Sequence, residues 1–96
     1  MTVGFVAFHY PRPGDFDDFV ARVLKVGAVL RSVPGCLSVD CWVTTDGDDD
    51  AVVSTGQWES GEAFAASFAA VAAADVDVAF DEREHRPRRI FELASR

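Results

Sequence analysis

Three residues with chemical promise, Ser54, Gly56 and Trp58, stand at every second position of one short stretch. In an extended strand that spacing puts all three on one face. Gly56 removes side-chain bulk between a hydroxyl and an indole, leaving a space flanked by two hydrogen-bonding groups. A helix that begins directly after Trp58 brings Phe64 and Phe68 over that space. The result is an apolar, aromatic and sparingly polar pocket, suited to a flat organic ligand. The same indole fits a second role, as a core side chain pinning strand to helix. His9 and Tyr10 close an apolar run and add two acid–base candidates, since a His near neutral pKa can accept a phenol proton. Both also fit a strand end that reaches solvent or a subunit seam. His85 lies in a basic segment and is expected to be exposed.

Other chemistries find no support. Asp46, Asp48 and Asp50 suggest a calcium loop, but an EF-hand needs Gly at its sixth position and Glu at its twelfth. Those positions hold Ala51 and Gln57, so the acids read as a solvated hairpin tip. There is no Gly-rich phosphate loop, nucleophile elbow or Cys/His metal spacing, and no metal is expected. Cys36 and Cys41 fall in one predicted strand, where an odd spacing points them to opposite faces about 16 Å apart. A disulfide needs Cα atoms within about 7 Å, so the two read as small buried apolar residues of a reducing compartment.

The elements that must position these groups follow from pattern and punctuation. Residues 3–10 form an almost continuous apolar strand, stopped by Pro11 and Pro13. Asp15 is placed to cap a helix whose apolar stripe is Phe16, Phe19, Val20, Val23, Leu24, Gly27 and Leu30. Residues 36–45 and 51–59 read as strands two and three, joined by Asp-Gly turn chemistry at residues 46–50. Ser60 caps a second helix with Glu62 in its first turn, and Phe64, Phe68, Val71 and Ala72 are its expected buried face. The alanine-rich residues 69–80 continue as helix with a break near Asp75, although residues 75–78 also alternate like a strand. Residues 88–93 form the last strand.

This order, β-α-β-β-α-β, is that of an α+β ferredoxin-like antiparallel sheet with both helices on one face. In strand one, Val3, Phe5, Ala7 and His9 point one way and Val6, Phe8 and Tyr10 the other. An antiparallel sheet with one wet face alternates apolar with polar, whereas this strand is apolar on both. Two helices cover only one face, so a second subunit is expected to cover the other, giving a homodimer with face-to-face sheets.

Length and charge narrow the function. Ninety-six residues make one domain, 1–96, with a core thin enough for a partner subunit to help. Acidic residues outnumber basic ones 14 to 4 over residues 1–82, while 5 basic residues face 2 acidic ones over 83–96. A nucleic-acid binder needs a dominant positive field, which this chain lacks. The basic segment is expected to pair with acidic surface on its own or a neighbouring subunit. No apolar run approaches the roughly 20 residues of a membrane span, and the start lacks signal-peptide features; a cytoplasmic location is expected.

Residues 3–7 in strand one, Val33-Pro34-Gly35 before strand two, Thr45-Asp46-Gly47 in the hairpin, and Gln57-Trp58-Glu59-Ser60 followed by Ala63-Phe64 resemble the antibiotic biosynthesis monooxygenase (ABM) family. The likeness is to its small cofactor-free members from aromatic polyketide pathways and runs from residue 3 to 68. It implies a dimeric α+β barrel with one pocket per subunit between sheet and helices. It also implies oxidation of a phenolic or hydroquinone-like polycycle by O₂, with no metal or flavin. Those members pair an Asn in strand three with a Trp four residues on and a Tyr six residues further. Trp58 matches the Trp; Ser54 stands for the Asn with a shorter hydrogen-bonding group, and Phe64 for the Tyr without its hydroxyl. Trp58, Ser54 and His9 are thus the catalytic candidates, and Phe64, Phe68, Gly56 and Tyr10 the substrate-binding ones. Haem-degrading relatives need a helix-two Trp and an axial His where this chain has Ser67 and Asp77, so that branch is set aside. The same pocket also fits a non-catalytic binding or accessory protein, favoured by the missing phenol at Phe64, or a cofactor-free cyclase or lyase.

Overall fold

A computed structural model of the chain describes residues 1–44, 50–74 and 84–96. Four strands, β1 (Val3–His9), β2 (Cys36–Val43), β3 (Val52–Trp58) and β4 (Arg89–Ala94), form one sheet in the order β2-β3-β1-β4. All three pairings are antiparallel. Two helices, α1 (Phe16–Arg31) and α2 (Gly61–Ala73), pack on one face. This is the α+β ferredoxin-like arrangement expected from the element order. The turn residues 46–49 and the helix-or-strand alternatives from 75 to 80 lie outside the described residues.

Both helix starts obey hydrogen-bonding needs, one of them differently from expectation. Ser60 Oγ accepts from the Ala63 N–H at 3.1 Å and caps α2, with Glu62 facing the positive dipole end. Asp15 makes no side-chain cap bond. A 3₁₀ turn at Pro13–Asp15 precedes α1 instead, and the Asp15 N–H donates to the Arg12 carbonyl. Such a turn satisfies terminal donors by i→i+3 bonds, which leaves the carboxylate free of a capping duty.

The buried stripe of α1 is Phe19, Val23, Gly27 and Leu30, while Leu24 is exposed. On α2 the deepest residues are Ala63, Ser67 and Val71, with Phe64 half-buried and Phe68 and Ala72 exposed. The expected stripe of Phe64, Phe68, Val71 and Ala72 is therefore rotated. Small residues at 63 and 67 let the helix lie close to the sheet, and the two phenyl rings flank that contact. Gly35 ends the turn after α1 with φ +93°, and a Cβ there would stand 2.6 Å from that of Ala63, so only glycine fits.

A bulge in β2 changes the parity read from its sequence. Cys36 pairs with Trp58 and Ser38 with Gln57, so Leu37 is the extra residue and is exposed. Cys36 and Cys41, expected on opposite faces, both lie on the helix side, packed against different core clusters. Both are free.

Candidate functional site

The cleft expected beside Trp58 is filled. A Cβ at Gly56 would stand 2.6 Å from the indole Cη2 of Trp58 and 3.0 Å from Phe5. Gly56 thus makes room for the indole itself, which folds back along β3 rather than leaving space for a ligand. The ring is fully buried, with Phe64, Phe5 and Phe68 at centroid distances of 4.9, 5.7 and 5.9 Å. Its Nε1–H donates to Ser67 Oγ at 2.7 Å, and that hydroxyl donates to the Leu30 carbonyl at 3.2 Å. The Trp58 N–H is therefore engaged inside the core.

The open space lies farther along the same face. Ala7, Ser54 and Cys41 stand side by side across β1, β3 and β2, with Ile90 of β4 beyond Ala7. These short side chains form the floor of a cavity of about 340 Å³ between sheet and helices. Gly27 and Leu30 of α1 and Phe68 and Val71 of α2 line its other walls. A volume near the lower end of the roughly 300–1,000 Å³ of ligand pockets suits a small ring system.

His9, Ser54 and Arg88 line this cavity, as do Arg31 and Asp40. His9 is buried at 7 % exposure, with the Phe19 ring of α1 5.2 Å away. Its Nδ1 stands 3.3 Å from Glu84 Oε1, outside hydrogen-bond alignment, a contact that becomes an ion pair only when the imidazole is protonated. Glu84 Oε1 also accepts from the Tyr10 N–H at 3.1 Å. The other oxygen, Oε2, accepts from Arg88 Nε at 3.1 Å and meets its terminal nitrogen at 2.9 Å. Burial pushes the His9 pKa below 6.5, assisted by the Arg88 charge and opposed by Glu84. A neutral imidazole at pH 7 is a competent proton acceptor. Cys41 remains a thiol, its pKa pushed up by burial.

Of the residues singled out from sequence, Ser54, His9 and Phe68 share the cavity, whereas Trp58, Gly56 and Phe64 lie in the packed cluster behind it. Tyr10 follows β1 on the parity of the opposite face, its ring 5.0 Å from the Arg86 guanidinium and 6.5 Å from His85. Glu84 and Arg88 were not anticipated in any site role. The row of small residues at 7, 41 and 54 was the one signal in the sequence for the cavity floor. Among the described residues, no three His, Cys, Asp or Glu gather closely enough to hold a metal ion, and no helix is long and apolar enough to cross a membrane.

A family model described as antibiotic biosynthesis monooxygenase matches residues 2–76. Among solved structures, Rv0793 from Mycobacterium tuberculosis is 23% identical with a TM-score of 0.79, covering 99% of this chain and 95% of its own. SnoaB, a cofactor-independent oxygenase from Streptomyces nogalater solved as the mutant N63A, is 17% identical with a TM-score of 0.79, covering 99% and 93%. A conserved protein from Methanosarcina mazei Go1 is 9% identical with a TM-score of 0.84, covering 100% and 94%. At these identities the likeness is one of fold. No curated protein matches the sequence.

Proposed function

This chain belongs to the antibiotic biosynthesis monooxygenase family, and on that premise we propose that it is a cofactor-independent monooxygenase. It oxidises a phenolic or hydroquinone-like polycyclic aromatic to a quinone with O₂, working as a cytoplasmic homodimer. The observation that carries this reading is the cavity itself: apolar walls, a floor of small residues, and a buried neutral imidazole at one side. The resemblance of the fold to a cofactor-independent oxygenase supports it.

The chemistry asks little of the protein. A phenol that gives its proton to His9 becomes an electron-rich phenolate, able to hand an electron to O₂. One oxygen atom enters the ring as the new carbonyl, and the other leaves as water with the two hydrogens that the substrate surrenders. The chain binds the planar substrate against Phe5 and Phe68, holds its oxygen near Ser54 and His9, and keeps bulk water from the anion. Trp58 backs the Phe5 and Phe68 wall.

Oxygen uptake by the purified protein with anthrone tests this. His9→Gln is expected to cut the rate by about 10²–10⁴-fold, the usual worth of a positioned general base. Equal rates for the two proteins remove His9 from the reaction, and uptake no faster than in buffer sinks the oxygenase reading. The engaged Trp58 N–H and the absence of a hydroxyl at Phe64 favour a second reading, a non-catalytic binding protein. Its signature is saturable quenching of tryptophan fluorescence by anthrone with no oxygen consumed.

A further inference from the structure

We infer that Glu84 is the positioning residue of His9, fixing the imidazole so that its proton exchange with a ligand takes place from the cavity wall. As a role in catalysis this rests on the oxygenase reading; as a pairing it rests on geometry alone. The Glu84 carboxylate is 4% exposed and, among the described residues, lies against His9, Tyr10 and Arg88. The Tyr10 N–H and His9 Nδ1 share Oε1, while Arg88 closes on Oε2 through two nitrogens.

The backbone holds this arrangement in register. Glu84 forms an isolated bridge to Pro11, and the His85 N–H donates to the Tyr10 carbonyl at 2.9 Å. Glu84 is therefore tied to the chain immediately beyond β1, the strand that ends in His9. Arg88 precedes β4 and lies one step past the last register pair, Phe8 with Arg89, which places it beside His9 across the strands. From α1, the group that faces the imidazole is the uncharged ring of Phe19.

Each charge then has a definite part. Arg88 holds Glu84 Oε2 through two nitrogens, which fixes the carboxylate against the ring. When a phenol O–H bond breaks, the electron pair stays on the phenolate oxygen and the proton passes to His9. Glu84 stabilises the imidazolium that forms, and Arg88 keeps the rest of the pair's field near neutral. A buried carboxylate behind a histidine is a common means of setting its tautomer.

The test is ¹⁵N NMR of the imidazole of His9 in the full chain, told apart from His85 by a His85→Asn variant. The native protein at pH 7.5 is expected in the Nδ1–H tautomer. Glu84→Gln should lower the His9 pKa further, because a negative neighbour is lost, and Arg88→Met should raise it, because a positive one is lost. A native Nε2–H tautomer overturns the proposal without any variant. So does an unmoved titration in a folded Glu84→Gln protein, or a shift of the same sign in both variants. In anthrone-dependent oxygen uptake, Glu84→Gln should lower kcat about 10- to 100-fold with KM unchanged, and Glu84→Asp should recover part of the loss. Were the native protein to consume no oxygen, the oxygenase reading would fall while the nitrogen shifts still decided the pairing.

Discussion

The bond from the Trp58 indole to Ser67 and the onward bond to the Leu30 carbonyl tie β3 to both helices through one buried hydroxyl. Trp58→Phe keeps a ring but removes the donor, leaving Ser67 Oγ with one partner fewer in a dry site. A loss of about 1–3 kcal/mol in stability is expected from that group, read as a lower urea midpoint. Oxygen uptake at a temperature where the variant is folded should stay near the native rate, because the indole does not line the cavity. His9 gives a pH signature of the opposite kind. Its pKa lies below 6.5 in the folded chain, chiefly through burial, so the unfolded chain binds the extra proton. Stability is then full above pH 6.5 and falls with acidification from about pH 6.5 toward the folded value. Thermal melts across that range should slope in the native protein and flatten in His9→Gln; equal slopes would refute the assignment. The alternation of Ser54, Gly56 and Trp58 was legible because strand parity is rigid. The position of the cavity was not, since nothing in the spacing says that a large indole folds back over a neighbouring glycine. Glu84 was illegible for a different reason: it reaches the Tyr10 N–H across 74 positions of chain.

At the level of elements, the two helices set the size of the cavity and their ends set their stability. Ser60→Ala removes the one side-chain cap of α2 and should cost about 1 kcal/mol, visible as a shifted denaturation midpoint with unchanged oligomeric state. Gly27 lies on the cavity wall within α1, where a Cβ would already stand 3.3 Å from Val39 Cγ1. Gly27→Leu places its branched end in the cavity, so anthrone quenching should be lost while the fold persists; retained quenching would move the ligand elsewhere. Strand and helix order was readable from apolar periodicity, Pro11, Pro13 and the Ser60 cap, all of which act locally. The bulge at Leu37 and the rotated face of α2 were not. Both are fixed by long-range fit, one by the register against Gln57 and Trp58, the other by how closely Ala63 and Ser67 approach the sheet.

For the molecule as a whole, the face of the sheet away from the helices carries the strongest consequence. It presents Val6, Phe8, Trp42, Val53, Phe91 and Leu93, and in the single chain Trp42, Leu93 and Phe91 are 59, 51 and 42% exposed. Trp42 is held across strands by its Nε1–H to Thr55 Oγ1 at 3.3 Å, and the Phe8 and Phe91 rings meet edge to face at 6.4 Å. We propose that this ordered apolar face, on a 96-residue chain with a thin core, is covered by the same face of a second copy. Sedimentation should therefore give a dimer at micromolar concentration, with the melting temperature rising with protein concentration. Raised salt should leave the association intact, because apolar area rather than charge drives it. The double change Trp42→Asp, Leu93→Asp sets acid on each face and should yield monomers, with a weaker fold because the covering sheet is gone. A native monomer at about 100 μM, well above the micromolar range of specific contacts, would leave the apolar face without its partner. A dimer untouched by the double change would place the interface somewhere other than this sheet.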